Sequence, residues 1–120
     1  TNSGLCALAF TIHMTLLGGV GLERLARVNH ANAVKLADKL KGVSDVEVLN
    51  KSFFNEFTLR VKGDAAAVVE KMARAGVLGG VPVSRLLPNA GLDDLIIVAN
   101  TEANTDDDRA AFVAALKGAI

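Results

Sequence analysis

The feature that most constrains this chain is its first helical stretch, which is apolar on nearly every side. One face of that predicted helix carries Leu5, Leu8, Ala9, Ile12 and Leu16. Phe10, Met14 and Leu17 add apolar groups to its other faces. A helix that is apolar all round is normally buried on more than one side, which requires more partners than 120 residues provide. We therefore expect this chain, which opens at Thr1 rather than at a methionine, to be a fragment of a larger protein.

A second, amphipathic helix is predicted from about Leu22 to Lys41. Gly18-Gly19 ends the first helix, because glycine adopts left-handed backbone angles at little cost, and Gly42 ends the second. We therefore assign residues 1–20 to a leading helix that links to a missing large domain, and residues 21–120 to a small α/β domain.

Beyond residue 42 the hydrophobic period changes from helical to two, which indicates strands. Glu56 to Lys62 alternates apolar and polar side chains, as in a strand with one face on a core. Val46-Glu47-Val48 predicts a short strand, and Val81-Pro82-Val83 at most an edge strand, since proline cannot donate to a ladder. The continuous apolar run from Leu95 to Ala99 predicts a central strand covered on both faces.

Two capping signals predict two further helices. Asp64 precedes a helical pattern from about Ala65 to Ala75. Thr105, followed three residues later by Asp108, resembles a capping box that opens a last helix to about Lys117. The resulting order of elements predicts an α+β fold, in which helices pack on a small, mostly antiparallel sheet.

Composition excludes several classes of protein. Thirteen basic and thirteen acidic residues are spread evenly, so no basic patch indicates nucleic-acid binding. The longest near-apolar stretch, Leu5 to Val20, is broken by threonines, His13 and a glycine pair, so we expect no membrane span. The single cysteine, Cys6, permits no internal disulfide, and we expect it to be a small buried hydrophobe. The single cysteine also fits a reducing compartment such as the cytoplasm.

Several motifs that would carry chemistry fail on spacing. His13 and His30 have no cysteine or acidic partner at ligand spacing. Gly76 to Val81 lacks the preceding strand, the lysine and the following helix of a phosphate loop. Asp106-Asp107-Asp108 would point in different directions from a helix. No lysine lies in the glycine- or histidine-rich loop typical of a Schiff-base lysine. We predict no catalytic, cofactor-binding or metal-binding residue in this chain.

An aromatic block precedes the clearest strand. Three of the five phenylalanines lie within five residues, around Asn55 and Glu56. Phe53 and Phe54 are adjacent, so their rings must lie on opposite sides of the chain, and we expect one to contact another domain or subunit. The alternative is a local hydrophobic plug where the strand begins. Phe53, Phe54, Asn55 and Glu56 are thus candidate interface or substrate residues.

At this point a family resemblance is specific enough to state. The chain resembles the P-protein of the glycine cleavage system, in particular subunit 1 of its two-subunit form. The motifs that carry the resemblance, in the family's order and spacing, are Thr1-Asn2, Leu5-Cys6-Ala7-Leu8-Ala9, Leu16-Leu17-Gly18 with Gly21-Leu22, Phe53-Phe54-Asn55-Glu56-Phe57, Pro82-Val83-Ser84-Arg85 and Thr101-Glu102. Ser3, Gly4 and Asn100 depart from the usual pattern.

The resemblance implies the aspartate-aminotransferase-like fold of pyridoxal-phosphate (PLP) enzymes, with this chain as the C-terminal small domain. It implies an intact oxidoreductase that decarboxylates glycine and passes the aminomethyl group to the lipoyl arm of H-protein. In two-subunit forms, subunit 2 carries the Schiff-base lysine. PLP would then be bound by the partner subunit, and this chain would be non-catalytic. The implied partners are the large domain of the same subunit, subunit 2 and H-protein, with glycine as substrate.

Arg85 is the candidate with the most direct functional role. Small domains of this fold often supply an arginine for a substrate carboxylate, and the planar guanidinium can pair with it through two hydrogen bonds. The structural alternative is an ion pair with Asp93 or Asp94. Two other functions stay open: a free-standing regulatory or ligand-binding α/β domain, and the small domain of another PLP-dependent, aminotransferase-like enzyme. The first would not need an all-apolar helix, and the second should lack the Phe-Asn-Glu-Phe block.

Overall fold

The first third of the chain is one kinked helix. The computed structural model describes residues 3–120, so the predicted Thr1-Asn2 motif lies outside it. Helix α1 spans Gly4–Lys41 and contains both predicted leading helices. Gly18 leaves helical geometry, with φ 62° and ψ −177°, but the helix resumes at once. The predicted break is therefore at the right residue, although it is a kink rather than the end of a helix. Gly42 is the C-cap, as predicted.

Four strands form a single antiparallel sheet. They are β1 (Val46–Val48), β2 (Glu56–Val61), β3 (Val81–Pro82) and β4 (Leu95–Ala99). Their order across the sheet is β1-β2-β4-β3, and each neighbouring pair is antiparallel. The central place of β4 and the edge place of β3 are confirmed. A proline is tolerated in β3 because only one side of that strand pairs.

The remaining helices are α2 (Ala65–Arg74), α3 (Val83–Leu86) and α4 (Asp106–Ala119). Asp64 caps α2 by accepting a hydrogen bond from the Ala66 N–H at 2.8 Å. The predicted capping box of α4 is present, with Thr105 and Asp108 bonding each other's backbone N–H. Helix α3 was not predicted. Val83 begins this helix instead of extending the strand, and Pro82 is its N-cap, with an extended backbone (φ −61°, ψ 133°).

The core lies between the helices and one face of the sheet. Alternate residues of β2 and β4 point into it, among them Phe57, Leu59, Ile96 and Val98. Helices α1, α2 and α4 cover this face through Ala33, Leu36, Leu40, Val68, Met72, Phe112 and Leu116. The opposite face is more open and carries Arg60, which pairs with Glu47 and Asp94 on either side. The class predicted from sequence is thereby confirmed.

Only the last ten residues of α1 belong to that core. No residue from 4 to 31 is buried, whereas Asn32, Ala33, Leu36, Ala37 and Leu40 are. The Cα radius of gyration is 16.5 Å, against about 13–14 Å for a compact chain of this length. Most of residues 4–31 therefore project from the folded body, which Asn29 and His30 contact through hydrogen bonds. Cys6, expected to be buried, is exposed because nothing in the described chain packs against that part of the helix.

Candidate functional site

The largest candidate surface is the apolar arm, which we define as residues 4–17 of α1. Leu5 and Leu16 are 78% and 81% exposed, and Leu8, Phe10 and Ile12 are also exposed. A contiguous exposed apolar surface of this kind marks an interaction site rather than ordinary protein surface.

The polar groups of the apolar arm are largely satisfied within the helix itself. The Thr11 hydroxyl donates to the Ala7 carbonyl oxygen at 2.8 Å, and the Thr15 hydroxyl to the Thr11 carbonyl oxygen at 2.7 Å. Such back-bonding removes the need for water at the hydroxyl groups. The arm can therefore be enclosed on several sides at little cost in lost hydration, and His13 is its one titratable side chain apart from Cys6.

The mean hydropathy of α1, which contains the apolar arm, is higher than the sequence argument against a membrane span assumed. Helix α1 contains an 18-residue window of mean hydropathy 1.8 with no buried residue, which by length and composition alone is enough to cross a bilayer. The sequence argument that polar residues interrupt this stretch was wrong for its mean hydropathy, because threonine and glycine lower that average only a little. The expectation of no membrane span stays a prediction. Core helices of soluble proteins and signal sequences pass the same test.

Residues 19–31 of α1 have a different character from the arm. Glu23 and Arg27 form an i,i+4 ion pair at 2.6 Å on one side, while Leu22, Leu25 and Ala26 on the other side are half-buried. A helix with one charged and one apolar side lies on a surface with one side in water. The two segments on either side of the Gly18 kink therefore suit different surroundings.

The aromatic block forms a corner between α1 and the sheet. Phe53 is half-buried against the core, with its ring centroid 5.1 Å from that of Phe57. Phe54 is 54% exposed and stacks on His30, with centroids 6.4 Å apart. The two adjacent rings thus do lie in different environments, and Phe54 is the one available to another surface.

His30 holds this corner in place. Its Nδ1 lies 2.8 Å from the Phe54 carbonyl oxygen, which makes Nδ1 the donor. The histidine therefore has a structural partner and remains exposed. Asn55 contributes its carbonyl oxygen, which accepts from the Asn100 N–H at 3.0 Å, and the Glu56 side chain is exposed at the start of β2.

Arg85 lies on the short helix α3 rather than in a loop. It is exposed and lines a shallow groove of about 510 Å³ together with Asp64 and Glu70. The alternative ion pair with Asp94 is not formed, because the Asp94 carboxylate accepts from Arg60 Nε at 3.0 Å. Among residues 3–120, Arg85 forms no ion pair.

A buried arginine that the sequence analysis missed lies in α4. Arg109 is only 3% exposed. Its Nη1 donates to the Asn104 carbonyl oxygen at 2.7 Å and to Asn100 Oδ1 at 3.3 Å, and its Nη2 donates to Asp106 at 2.8 Å. Its Nε–H is buried and has no acceptor among the described residues. The missed signal was the spacing of Arg109 to Phe112 and Leu116, which puts all three on the inward face of the helix.

The Thr101-Glu102 motif lies in the loop between β4 and α4 and is bound to α1. Asn32 Nδ2 donates to the Thr101 carbonyl oxygen at 3.1 Å, and Asn29 Oδ1 accepts from the Glu102 N–H. These two hydrogen bonds join the loop to α1, while the Glu102 side chain remains exposed.

Two carboxylates at the start of α4 are electrostatically stabilised. A hydrogen bond from Arg109, together with its positive charge, holds the pKa of Asp106 below its usual value. Hydrogen bonds from the Thr105 hydroxyl and backbone N–H lower the pKa of Asp108. Both groups stabilise the helix start in their ionised forms.

The seven lysines all have exposed side chains in this chain. They are Lys35, Lys39, Lys41, Lys51, Lys62, Lys71 and Lys117. A Schiff-base lysine requires desolvation or a neighbouring cation that lowers its pKa. Within residues 3–120 there is also no group of three or more side chains that could hold a metal ion.

Comparison with known proteins identifies sequence relatives over nearly the whole chain. The chain is 73% identical over 117 residues to the probable glycine dehydrogenase (decarboxylating) subunit 1 of Azorhizobium caulinodans, covering 98% of this chain and 26% of the relative. It is 66% identical over 118 residues to the protein of the same name from Methylocella silvestris, with the same coverage. The chain thus spans about a quarter of the length of these relatives. No family model matches it.

Solved structures agree with the sequence comparison. An inhibitor-bound glycine decarboxylase (P-protein) of the glycine cleavage system superposes with a TM-score of 0.87 at 34% identity, over 100% of this chain and 27% of that one. The sugar aminotransferase CalS13 from Micromonospora echinospora gives a TM-score of 0.64 at 20% identity, over 82% of this chain and 31% of that one. The aminotransferase-like fold and the resemblance to one segment of this subunit are confirmed.

Proposed function

We propose, from the premise that this chain corresponds to a segment of glycine dehydrogenase (decarboxylating) subunit 1, that it is the C-terminal small domain of that subunit. This domain would serve assembly of the enzyme and would hold no cofactor lysine. Sequence identity of up to 73% over 98% of the chain supports the premise. The exposed side chains of all seven lysines support the absence of a covalent cofactor site.

The exposed apolar arm is the observation that carries this proposal. The large domain of the same subunit would cover this arm, since about three quarters of the length of the relatives lies outside the matched segment. Burying the side chains of Leu5, Phe10 and Leu16 there would contribute roughly 1.5–3 kcal/mol for each residue. The arm would then fix the small domain relative to the large one, with Gly18 setting the angle at which the helix leaves.

We further propose the partners and chemistry of the intact enzyme, which resides in the bacterial cytoplasm. Subunit 2 would hold PLP through one of its own lysines, and PLP would supply the electron sink for loss of CO₂ from glycine. H-protein would receive the aminomethyl group on its lipoyl arm. This chain would complete the subunit interface, where the exposed Phe54 ring is the candidate contact.

The assembly role is tested by thiol labelling of Cys6 in the full-length subunit. Cys6 is exposed in this chain, and we expect it to be protected in the full-length subunit because the large domain encloses the arm. Labelling is followed by mass spectrometry of the peptide that contains Cys6, and the urea-unfolded subunit serves as the control for full reactivity. Labelling of Cys6 in the folded subunit at the rate of the unfolded one would refute the proposal.

The non-catalytic role is tested with the reconstituted two-subunit enzyme. Borohydride reduction in the presence of PLP should trap the cofactor on a lysine of subunit 2 and on none of the seven lysines of this chain. Peptide mapping identifies the modified residue. Stoichiometric trapping on any one of those seven lysines would overturn the proposal.

Arg85 is proposed to help bind the carboxylate of glycine. Its exposed guanidinium has no ion pair among residues 3–120, so it is available to a partner from outside this chain. Arg85→Lys should raise KM for glycine or lower kcat/KM in the assembled enzyme, since lysine cannot form the paired hydrogen bonds. The melting temperature of the subunit should stay unchanged. A lower melting temperature with normal kinetics would show a structural role instead.

A further inference from the structure

We infer that the groove beside β4 receives an extended polypeptide segment from the part of the subunit outside this chain. This inference rests on the proposed function, because it takes the chain to be part of a longer subunit. Its evidence lies outside the apolar arm. It consists of an incompletely paired strand, a buried donor without an acceptor, and the charges that surround them.

The hydrogen-bonding alternation of β4 identifies which of its groups face the groove. The Asn100 N–H donates to the Asn55 carbonyl oxygen of the β2 side at 3.0 Å, and the Val61 N–H donates to the Asp94 carbonyl oxygen at 2.9 Å. Even-numbered residues of β4 therefore bond to β2, and odd-numbered residues face the other side. Ile97 uses that side to pair with Val81 of β3. The Leu95 N–H donates to the Leu92 carbonyl oxygen, so the remaining N–H on that side is that of Ala99.

The backbone of Ala99 has no partner because β3 ends too early. Gly80 has φ of 105°, outside the range of a strand, and a side-chain carbon there would collide with the Ile97 carbonyl oxygen. The chain before Val81 therefore turns away from the sheet, and residue 79 does not pair with Ala99. Among residues 3–120, no hydrogen bond is formed by the N–H or the carbonyl oxygen of Ala99.

The groove that opens at this point contains an unsatisfied buried donor. It has a volume of about 520 Å³ and is lined by Ala99, Asn100, Asn104 and Arg109, among others. The Nε–H of Arg109 is buried without an acceptor, and a buried donor that is left unpaired destabilises the fold. The side-chain amides of the two asparagines also line the groove and donate no hydrogen bond to the described residues there. The site is therefore rich in donors that need carbonyl oxygens.

Charge decides between a free anion and a peptide. Glu56 and Asp108 also line the groove, and the guanidinium of Arg109 is already paired with Asp106. A phosphate or carboxylate ion would meet two negative charges and no free cation. A peptide strand instead brings neutral carbonyl oxygens for the donors and an N–H for the Ala99 carbonyl oxygen, as in strand addition to a sheet edge.

The outer edge of β1 provides an internal comparison. There the Leu49 N–H donates to the Thr58 carbonyl oxygen, and the Lys62 N–H donates to the Asp45 carbonyl oxygen. The backbone N–H of Val48 therefore points to the open edge of β1 and, like that of Ala99, has no strand to pair with. That edge has no buried donor without an acceptor. An open strand edge alone thus does not mark the site; the unsatisfied Arg109 beside it does.

Hydrogen exchange of the full-length subunit tests the inference at a single amide. In the peptide of residues 97–103 every other amide has a partner: Ile97 bonds to β3, Val98 and Asn100 to β2, and residues 101–103 to side-chain oxygens. A segment in the groove should slow the exchange of the Ala99 amide on the order of 100-fold relative to that of Val48. Equal rates for the two amides would overturn the inference.

A photoreactive side chain at Leu78 identifies the occupant. Leu78 is exposed and lines the same groove, and the matched control places the same group at Glu47 on β1. We expect the Leu78 probe to link to a peptide of the same subunit outside this chain. Linkage to subunit 2 or to a second copy, or linkage no greater than at Glu47, would refute this occupant. If Cys6 is protected but the Ala99 amide exchanges rapidly, the inference about the groove is refuted and the proposed function stands. If Cys6 is labelled rapidly, the proposed function is refuted.

Discussion

The two parts of α1 show how one continuous helix can serve two different structures. Residues 32–41 place Ala33, Leu36, Ala37 and Leu40 in the core, whereas residues 4–31 have no buried side chain. Backbone hydrogen bonding and helix-forming composition are shared by both parts. What differs is whether the folded body supplies a surface for the apolar side chains to pack on.

This difference shows that a helix boundary need not be a packing boundary. The kink at Gly18 divides α1 by backbone geometry, but the change from exposed to buried comes at Asn32, fourteen residues later. Most of the stability of a helix in a protein comes from packing of its apolar face. The arm must therefore obtain its stability from a surface outside this chain, whereas residues 32–41 obtain theirs within it.

The largest effect should come from truncating leucine on either side of that boundary. Leu36→Ala should lower the free energy of unfolding of this chain by about 2–5 kcal/mol, because it leaves a cavity in the core. Leu16→Ala should change it by less than about 0.5 kcal/mol, since an exposed leucine loses no contacts. Urea unfolding followed by circular dichroism measures both changes. Similar losses for the two substitutions would show that the arm packs on the body.

A smaller difference is expected between the two adjacent phenylalanines. Phe53→Ala should cost about 2–3 kcal/mol, because its ring is partly buried against Phe57. Phe54→Ala should cost about 1 kcal/mol or less in this chain, where the exposed ring stacks only on His30. In the assembled enzyme the order should reverse, with Phe54→Ala weakening binding of the second subunit, as measured by analytical ultracentrifugation. An unchanged dissociation constant for Phe54→Ala would remove this residue from the interface.

The sequence predicted the elements whose signals are local. Alternation located β2, the apolar run located β4, Pro82 marked the edge strand, and Asp64 and Thr105 marked helix starts. Each of these depends on residues close together in the chain. The all-round apolar character of the first helix also predicted that partners outside the chain are needed, which agrees with its exposure here.

What the sequence did not predict depends on distant contacts. Arg109 follows three aspartates at a helix start, where charged side chains are ordinarily exposed. It is buried because Asn100 and Asn104, brought close by the turn after β4, accept its hydrogen bonds. The open edge at Ala99 was equally hidden, since it depends on where β3 stops pairing. Cys6 was expected to be buried on composition alone, which contains no information about missing partners.

The start of α4, in the folded body, should contribute more to stability than the start of α1, in the apolar arm. Thr105→Ala should destabilise this chain by about 1 kcal/mol, because it removes the capping hydrogen bond to the Asp108 N–H. Ser3→Ala at the start of α1 should have almost no effect, since the Ser3 side chain makes no capping hydrogen bond. Thermal unfolding of the two variants tests this. A larger effect at Ser3 than at Thr105 would mean that the arm contributes to the cooperative unit.

The smallest expected effect is on the loss of stability at low pH. It comes from Asp106, which lies in the folded body and not in the arm. The pKa of Asp106 is lowered by the hydrogen bond and charge of Arg109, so the folded state favours the ionised carboxylate. Its stabilising contribution should be fully present above the unfolded value of 3.8 and lost as the pH falls below it. Asp106→Asn should therefore flatten the decline of stability with acid, measured as urea midpoints between neutral pH and the acid range. Asp107→Asn is the matched control, because Asp107 forms no hydrogen bond or ion pair with residues 3–120 through its side chain. If both substitutions flatten the profile equally, the effect comes from general helix-start charge, and the pairing of Asp106 with Arg109 is not its cause.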